Sequence, residues 1–318
     1  LMKVHTLDID SGERNPELYP NPADYTVFLK TPIYEVTKIS MISARIHHSQ
    51  FLIHARNKVF QVRNISSNTD YTLTLTEGNY GGKELATELV AASTAVAAPI
   101  TGATFDKDKN SITITGSTDF QLKFKTGTNG YDSTITGYTT PHDVFGLPAN
   151  DISSTSSSLT TGSINLQGPD AIIVKLSSGS DEFNKTIYSE SPFYTGRILM
   201  CGDVINYSGV DDAVEHNFDS GAQKTIQNLH VKFYYSSNNR LIPYDFRNAN
   251  HILKLAVTCS TDKFENIPKL RRDDSLPPPM SIPEYEDPHR WDSFLSIFLV
   301  VATGLFLLLV MKKPKIIE

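Results

Sequence analysis

The pattern of apolar and polar positions is clearest in the run from Phe294 to Met311, which contains no charged residue. A helix with a rise of ~1.5 Å per residue would carry this run across the ~30 Å hydrocarbon core of a bilayer. A buried core helix is the alternative, but such helices usually keep a polar stripe, and only Ser296 and Thr303 interrupt this run. The pattern therefore predicts a transmembrane helix over residues 292–311.

The residues around this run fit a membrane anchor. An interfacial aromatic residue precedes it and lysines follow it, as is typical of membrane-spanning helices. The residues expected to form the anchor are Trp291, Phe294, Leu295, Phe298, Leu305, Phe306, Val310, Lys312 and Lys313. A basic tail over 312–318 is expected beyond the helix.

The preceding part of the chain shows the two-residue period of β-strands. Residues 71–76 alternate fully, which places Tyr71, Leu73 and Leu75 on one face and three threonines on the other. Ser236 to Asn239 has the composition of a hairpin turn. Further strands are predicted at 25–29, 35–49, 112–114, 120–124, 171–176, 198–200, 229–235 and 252–259.

Two local departures from this period carry structural predictions. The apolar phase changes between Met41 and Ile42, which indicates a bulge, because a one-residue slip moves the apolar set to the other face. Residues 83–98 switch to helical spacing and end before Pro99. The predicted fold is mainly β: an antiparallel jelly-roll-type β-sandwich head over 25–267 with one inserted α-helix, followed by the transmembrane helix.

Three segments are expected to lie outside this regular structure. Residues 1–24 are predicted to form a proline-rich arm, with a turn at Thr31-Pro32 after the first strand. Residues 150–163 are rich in Ser and Thr and are expected to form a mobile surface loop. Residues 268–291 have no apolar period and several prolines, which is typical of an extended spacer.

Composition narrows the possible functions. A net charge of -6 with 20% charged residues argues against a dedicated nucleic-acid groove, so no specific nucleic-acid binding is expected. Cys201 and Cys259 lie in strand-like runs and are expected to be buried thiols. Leu1 to Asp10 has no secretory-signal pattern, which predicts a tail-anchored protein with a cytosolic head. Three Asn-X-Ser/Thr sequons, at Asn64, Asn184 and Asn206, would matter only in the opposite orientation.

Residues that could support catalysis do not form a recognisable motif. His47 and His48 point to opposite faces of a strand, and with His54 they do not match a zinc-ligand spacing. Carboxylates at Asp211, Asp212 and Glu215 lie in a loop-like stretch where solvated acids are common. The prediction is a protein that is not an enzyme, with no catalytic residue, cofactor, metal or small-molecule substrate. A carbohydrate-active enzyme stays open as a distant alternative, whose signature would be a cleft with two carboxylates ~5–9 Å apart.

Three stretches of the chain resemble known proteins. The first carries Asp10-Ser11, Arg14-Asn15, Tyr19 to Pro22 and Asp24-Tyr25, and it resembles the opening of structural proteins from large icosahedral double-stranded DNA viruses with an internal membrane, the chlorella-virus-like nucleocytoplasmic kind. The others, Thr74 to Leu89 and Leu166 to Val174, are similar to segments of viral capsid and penton-like β proteins. The resemblance implies a minor capsid protein of the virion, located between the capsid shell and the internal membrane. Its implied partners are the major capsid protein, other minor capsid proteins and the lipid of the inner viral membrane.

The first of these stretches is the candidate capsid contact. Arg14 offers a bidentate donor, and Tyr19 and Tyr25 offer rigid contact area at low entropic cost. The alternative is that this stretch only caps the first strand, with Tyr25 in the core. For the whole chain, the alternative to a protein that links shell and membrane and cements capsomers is a membrane-anchored viral or cell-surface adhesion protein with a β-sandwich head.

Overall fold

The computed structural model describes residues 2–183, 194–210, 213–218, 224–260 and 290–311. The chain forms two compact units, Leu1–Ile267 and Pro268–Glu318. The first unit contains the β-strands and one α-helix, and the second contains one long helix.

The strands of the first unit are numbered in chain order. The first nine are β1 (Met2–Asp10), β2 (Asp24–His47), β3 (Val59–Asn64), β4 (Thr69–Thr74), β5 (Ile100–Asp106), β6 (Ser111–Gly116), β7 (Phe120–Lys123), β8 (Asp151–Ser153) and β9 (Ser158–Thr160). The others are β10 (Ala171–Ser178), β11 (Asp181–Glu182), β12 (Gly196–Leu199), β13 (Val204–Ser208), β14 (Glu215–Asn217), β15 (Lys224–Ser237), β16 (Arg240–Pro243) and β17 (Ile252–Ser260). A short 3-10 helix spans Ser11–Glu13, and α1 spans Gly82–Ala95.

The strands pair antiparallel in three sheets around two cores. The large sheet has the order β1-β17-β2-β15-β10-β11, and β12, β13, β14 and β16 pair at its margins. Its apolar residues form one core cluster. The smaller sheets, β4-β3-β7-β8 and β5-β6-β9, share the second cluster with α1. The predicted fold class, a mainly β antiparallel jelly-roll-type head with one inserted helix, is confirmed.

Strand β2 is the centre of the large sheet, and it differs from the sequence prediction. It runs through the expected turn at Thr31-Pro32 and pairs with β15, β17, β13 and β14 along its 24 residues. The register to β15 shifts between the pairs formed by Phe28 and Ile33. Proline has no N–H for a regular ladder, so an irregular stretch lets the strand continue through Pro32.

The bulge predicted from the change of apolar phase is confirmed. Ser43 pairs with Lys254 and Met41 pairs with Leu255, so Ile42 has no partner on β17. Met41 is buried and Ile42 is exposed, as the extra residue requires. The bulge therefore keeps the apolar residues before and after it in the same core.

The hairpin and helix predictions are also confirmed, with small shifts. Asn238 and Asn239 both have positive φ and join β15 to β16, as a type I′ hairpin turn requires. Helix α1 ends at Ala95 instead of residue 98, because Ala97 already has a φ of 54° and Pro99 follows.

Two expectations about irregular segments and one about a cysteine need correction. Strand β1 pairs with β17 at the margin of the large sheet, so residues 2–10 are part of a sheet and not of an arm. The Ser/Thr-rich segment 150–163 contains β8 and β9. Cys259 is buried as expected, but Cys201 is exposed, because it lies just beyond the end of β12. Residues 268–289 of the expected spacer and the tail 312–318 lie outside the described residues.

The second unit contains α2, which spans Arg290–Met311. The segment Phe294–Met311 has a mean hydropathy of 2.8 and is not buried against other residues. Within the described ranges, α2 is the one helix long and apolar enough to cross a membrane.

Candidate functional site

The N-terminal stretch that carries the candidate capsid contact is fixed by the guanidinium group of Arg14. Its nitrogens donate hydrogen bonds to the carbonyl oxygens of Ser11, Tyr19 and Pro20, at 2.7, 2.9 and 3.3 Å. A further bond of 2.9 Å reaches Oδ1 of Asn250. Arg14 therefore holds the 11–20 turn in shape and ties it to the loop before β17, and four of its five N–H donors are engaged within the chain.

Tyr25 is not available as a surface contact. Its side chain is 1% exposed, and its hydroxyl lies 2.9 Å from Nε2 of His251, which is also 1% exposed. Burial raises the pKa of Tyr25 far above its usual range and lowers the pKa of His251 to about 3. The pair is uncharged at neutral pH, and the alternative that Tyr25 belongs to the core is correct.

Tyr19 lies at the boundary between core and surface, where it forms part of a groove. Its ring packs partly buried against the core of the large sheet. The groove has a volume of about 390 Å³ and contains Tyr19, Leu18 and Phe28 in its lining. Leu18 and Phe28 are 69% and 67% exposed, so the groove presents an apolar surface to solvent.

Sequence reasoning missed Leu18 and Phe28, although a signal for Phe28 was present. In β2, Phe28 shares the outward face with Thr26, opposite the face that carries the buried Tyr25. A single exposed aromatic residue is common, but Phe28 and Leu18 line one groove together, and a contiguous exposed apolar patch indicates a contact surface. Asp8, Asp10 and Glu13 also line the groove, which makes its margin acidic.

The residues expected to contact lipid are exposed on α2. They are Phe294, Leu295, Phe298, Leu305, Phe306 and Val310. The hydroxyl of Thr303 bonds to the carbonyl oxygens of Leu299 and Val300, at 2.7 and 3.0 Å, so the polar interruption is satisfied within the helix. The side chain of Trp291, and Lys312 and Lys313 entirely, lie outside the described residues.

The three clustered histidines do not come together as a ligand set. His54 is buried, and its Nε2 lies 3.0 Å from the hydroxyl of Tyr235. Burial lowers the pKa of His54 to about 4, and burial also lowers the pKa of His48. Across the part of the chain that the structure describes, no group of three His, Cys, Asp or Glu side chains is arranged to hold a metal ion.

A polar cavity that the sequence did not indicate lies between the loops connecting the two cores. It has a volume of about 280 Å³. Four separate parts of the chain contribute to its lining, among them Gln50, Asp143, Asp170 and Tyr235. Such a set comes together only in the folded head.

The fold and these surfaces define a class of protein: an antiparallel β head with two cores, in a chain that also contains a helix able to cross a membrane. Residues 4–263 match the model of a family described as "Family of unknown function (DUF5901)", and the chain belongs to that family. No curated protein sequence matches the chain.

Solved structures similar to the chain include the following two. The penton protein of mavirus has a TM-score of 0.36 and 12% identity, over 80% of this chain and 98% of that one. A chain of the Sputnik virophage, from its cryo-EM structure, has a TM-score of 0.30 and 11% identity, over 81% and 98%. Likeness at this level does not define a shared function.

Proposed function

We propose that the protein is a structural minor capsid protein that links the outer capsid shell to an inner viral membrane. In this proposal α2 lies in the membrane, and the β head packs against the major capsid protein and other minor capsid proteins. The observation that carries it is the combination, in one chain, of an exposed apolar segment long enough to cross a membrane and a head with an apolar groove.

The anchoring step follows from the surface of α2. The apolar side chains of Phe294–Met311 are not buried in the described structure, and exposing them to water would be unfavourable by ~25 cal/mol per Å². In a bilayer the same surface is solvated by lipid tails, and all helical backbone groups stay paired. The helix therefore supports a permanent membrane attachment.

The docking step rests on the groove lined by Leu18, Tyr19 and Phe28. Arg14 stiffens the turn that forms one wall, so binding there would require little ordering of this wall. The acidic margin at Asp8, Asp10 and Glu13 suits a partner that presents an apolar side chain flanked by basic residues. The resemblance of residues 10–25 to viral structural proteins supports a neighbouring capsid protein as that partner.

Protease protection of the full-length chain, tagged at each end and inserted into microsomes, tests the topology. We expect the head to be digested from outside and a fragment containing α2 to be protected. Probing purified virions for the same chain then tests its place in the particle. A protected head, or absence of the chain from virions, would contradict the proposal.

A membrane-anchored recognition protein is the second candidate, favoured by the position of Asn64. This sequon asparagine ends β3 at an exposed hairpin, where its Oδ1 accepts a hydrogen bond from the backbone N–H of Ser67. A glycan has access at such a site only if the head is exported. Glycan occupancy at Asn64 in the protease-protection samples would favour this candidate, and an unmodified Asn64 favours the capsid link.

A further inference from the structure

The polar cavity of about 280 Å³ has the construction of a small-ligand site. Gln50 and His54 come from the loop after β2, Asp143 from the segment after β7, Asp170 from the turn before β10, and Tyr235 from β15. Gln50, His54 and Tyr235 are buried at its base, and both aspartates are exposed at its opening. The cavity therefore has a fixed floor and an acidic opening.

Gln50 provides a polar group that points to a ligand. Its side chain is 6% exposed, and its Oε1 accepts a hydrogen bond of 2.9 Å from the backbone N–H of Asp245. This bond fixes the amide, while its Nε2 has no hydrogen-bond partner in the described ranges, and the residue lines the cavity. A ligand that offers an acceptor atom would satisfy this unpaired donor.

The other lining groups determine the chemistry of that ligand. The carboxylate of Asp170 makes no hydrogen bond or ion pair within the described part of the chain, so it is free to accept from hydroxyl groups. Among the residues that the structure describes, no Lys or Arg lines the cavity, and His54 is uncharged at neutral pH because burial lowers its pKa to about 4. Asp143 lies 3.1 Å from Nε2 of His142, whereas Asp170 has no such neighbour in the described ranges, and two carboxylates at the opening disfavour phosphate, sulfate and carboxylate ligands.

The size restricts the ligand further. At about 30 Å³ per molecule in the liquid, the cavity volume equals that of about nine waters, which suits one six-membered sugar ring with its hydroxyls. A sugar hydroxyl is both a hydrogen-bond donor and an acceptor. It can therefore accept a hydrogen bond from the side-chain amide of Gln50 and donate one to the carboxylate of Asp170. The aromatic ring of Tyr235 adds an apolar surface for the ring carbons.

We propose that this cavity binds a single neutral sugar residue, such as the terminal hexose or N-acetylhexosamine of a glycan. Gln50 donates to the sugar, Asp170 accepts from its hydroxyls, and Tyr235 packs against the ring. This glycan-binding site is additional to the capsid role and does not depend on it.

Saturation-transfer NMR and calorimetric titration of the full-length chain in lipid nanodiscs test the proposal. The probes are free galactose, glucose and N-acetylglucosamine, with N-acetylneuraminic acid as the anionic comparison. We expect saturable, millimolar binding of at least one neutral sugar and none of the anionic one. Absence of saturable binding of every neutral sugar, or preference for N-acetylneuraminic acid, would overturn the proposal.

Two variants place the binding in this cavity. Asp170→Ala removes an exposed carboxylate that has no partner, so the head stays folded, and we expect affinity to fall about tenfold, or about 1.4 kcal/mol. Asp108→Ala removes an exposed carboxylate outside the lining and is the matched control. Gln50→Met should weaken sugar binding as well. Because Gln50 also bonds to the backbone of Asp245, the melting temperature of this variant is measured to check that the head stays folded. Equal affinity for the Asp170 and Asp108 variants would show that the sugar binds elsewhere and would contradict the site.

Discussion

The hydroxyl of Tyr25 and Nε2 of His251 lie 2.9 Å apart although 226 residues separate them in the chain. The bond joins the start of β2 to the residue before β17, the two strands that pair through the middle of the large sheet. His251 also packs edge-on against Phe233, at 4.5 Å between ring centroids. The pair therefore ties the start of β2 to the residue before β17 within the core of the large sheet.

Replacing this hydroxyl tests its structural role. Tyr25→Phe leaves a buried imidazole nitrogen without a partner, so we expect the free energy of unfolding to fall by about 1–3 kcal/mol. Tyr34→Phe, at an exposed ring on the same strand, is the control and should change it by less than about 0.5 kcal/mol. Denaturant unfolding of the two variants in detergent compares them. Equal stability would mean that the hydrogen bond contributes nothing measurable.

Buried histidines make the head sensitive to mild acid. The folded-state pKa values of His54 and His251 are about 4 and about 3, below the value of ~6.5 in the unfolded chain. At a pH between the folded and unfolded values, these imidazoles are protonated mainly in the unfolded chain. Stability therefore falls as pH drops below ~6.5, by about 2 kcal/mol per histidine at pH ~5. Melting temperatures between pH 7 and 5 measure the loss. His54→Gln should show a shallower dependence, and an unchanged one would exclude His54 as a cause.

Gly146 is needed for both its backbone conformation and its lack of a side chain. It has a φ of +62°, and a Cβ there would meet the carbonyl oxygen of Ser163. Gly179 has a similar φ of +60° with no atom near its Cβ position, which makes it the matched control. We expect Gly179→Ala to destabilise by about 1 kcal/mol and Gly146→Ala by about 2 kcal/mol more. Thermal unfolding of the two variants measures the difference. Equal losses of stability would show that the backbone around residue 146 shifts to accommodate the Cβ without a free-energy penalty.

The membrane role of α2 predicts a position-dependent effect of charge. Lysine at the centre of a transmembrane helix is unfavourable by about 2.5–3.5 kcal/mol, whereas lysine at its end can reach the interface. Leu305→Lys with Phe306→Lys should therefore release the chain from membranes during alkaline carbonate extraction. Met311→Lys, at the end of the helix, should leave it in the pellet. If both variants stay membrane-bound, α2 is not the anchor.

The groove at the N-terminal turn is the proposed capsid contact. Leu18→Ser with Phe28→Ser removes exposed apolar surface, so the head should stay folded while incorporation into virions falls severalfold. Val210→Ser, at a turn residue that is 88% exposed, is the control and should be incorporated normally. Quantitative blotting of purified particles gives the result. Normal incorporation of the double variant would place the capsid contact elsewhere.

Local sequence patterns were enough to predict those elements whose side chains meet the same surroundings along the whole element. The alternation at 71–76 placed Leu73 and Leu75 in a core, and both are buried. The uncharged apolar run became α2, and the change of phase at Ile42 became a bulge. In each case the spacing of apolar side chains indicates which face avoids water, and this spacing is visible within a short stretch of sequence.

Only the tertiary structure decided which residues serve the core and which serve the surface at the N-terminal stretch. Arg14, Tyr19 and Tyr25 have similar sequence surroundings, yet Arg14 bonds to its own turn and to Asn250, and Tyr25 is buried beside His251. Their partners lie more than 200 residues away, at separations of 236 and 226. No local period encodes such pairings, and the same holds for the cavity around Gln50, whose walls meet only when both cores have formed.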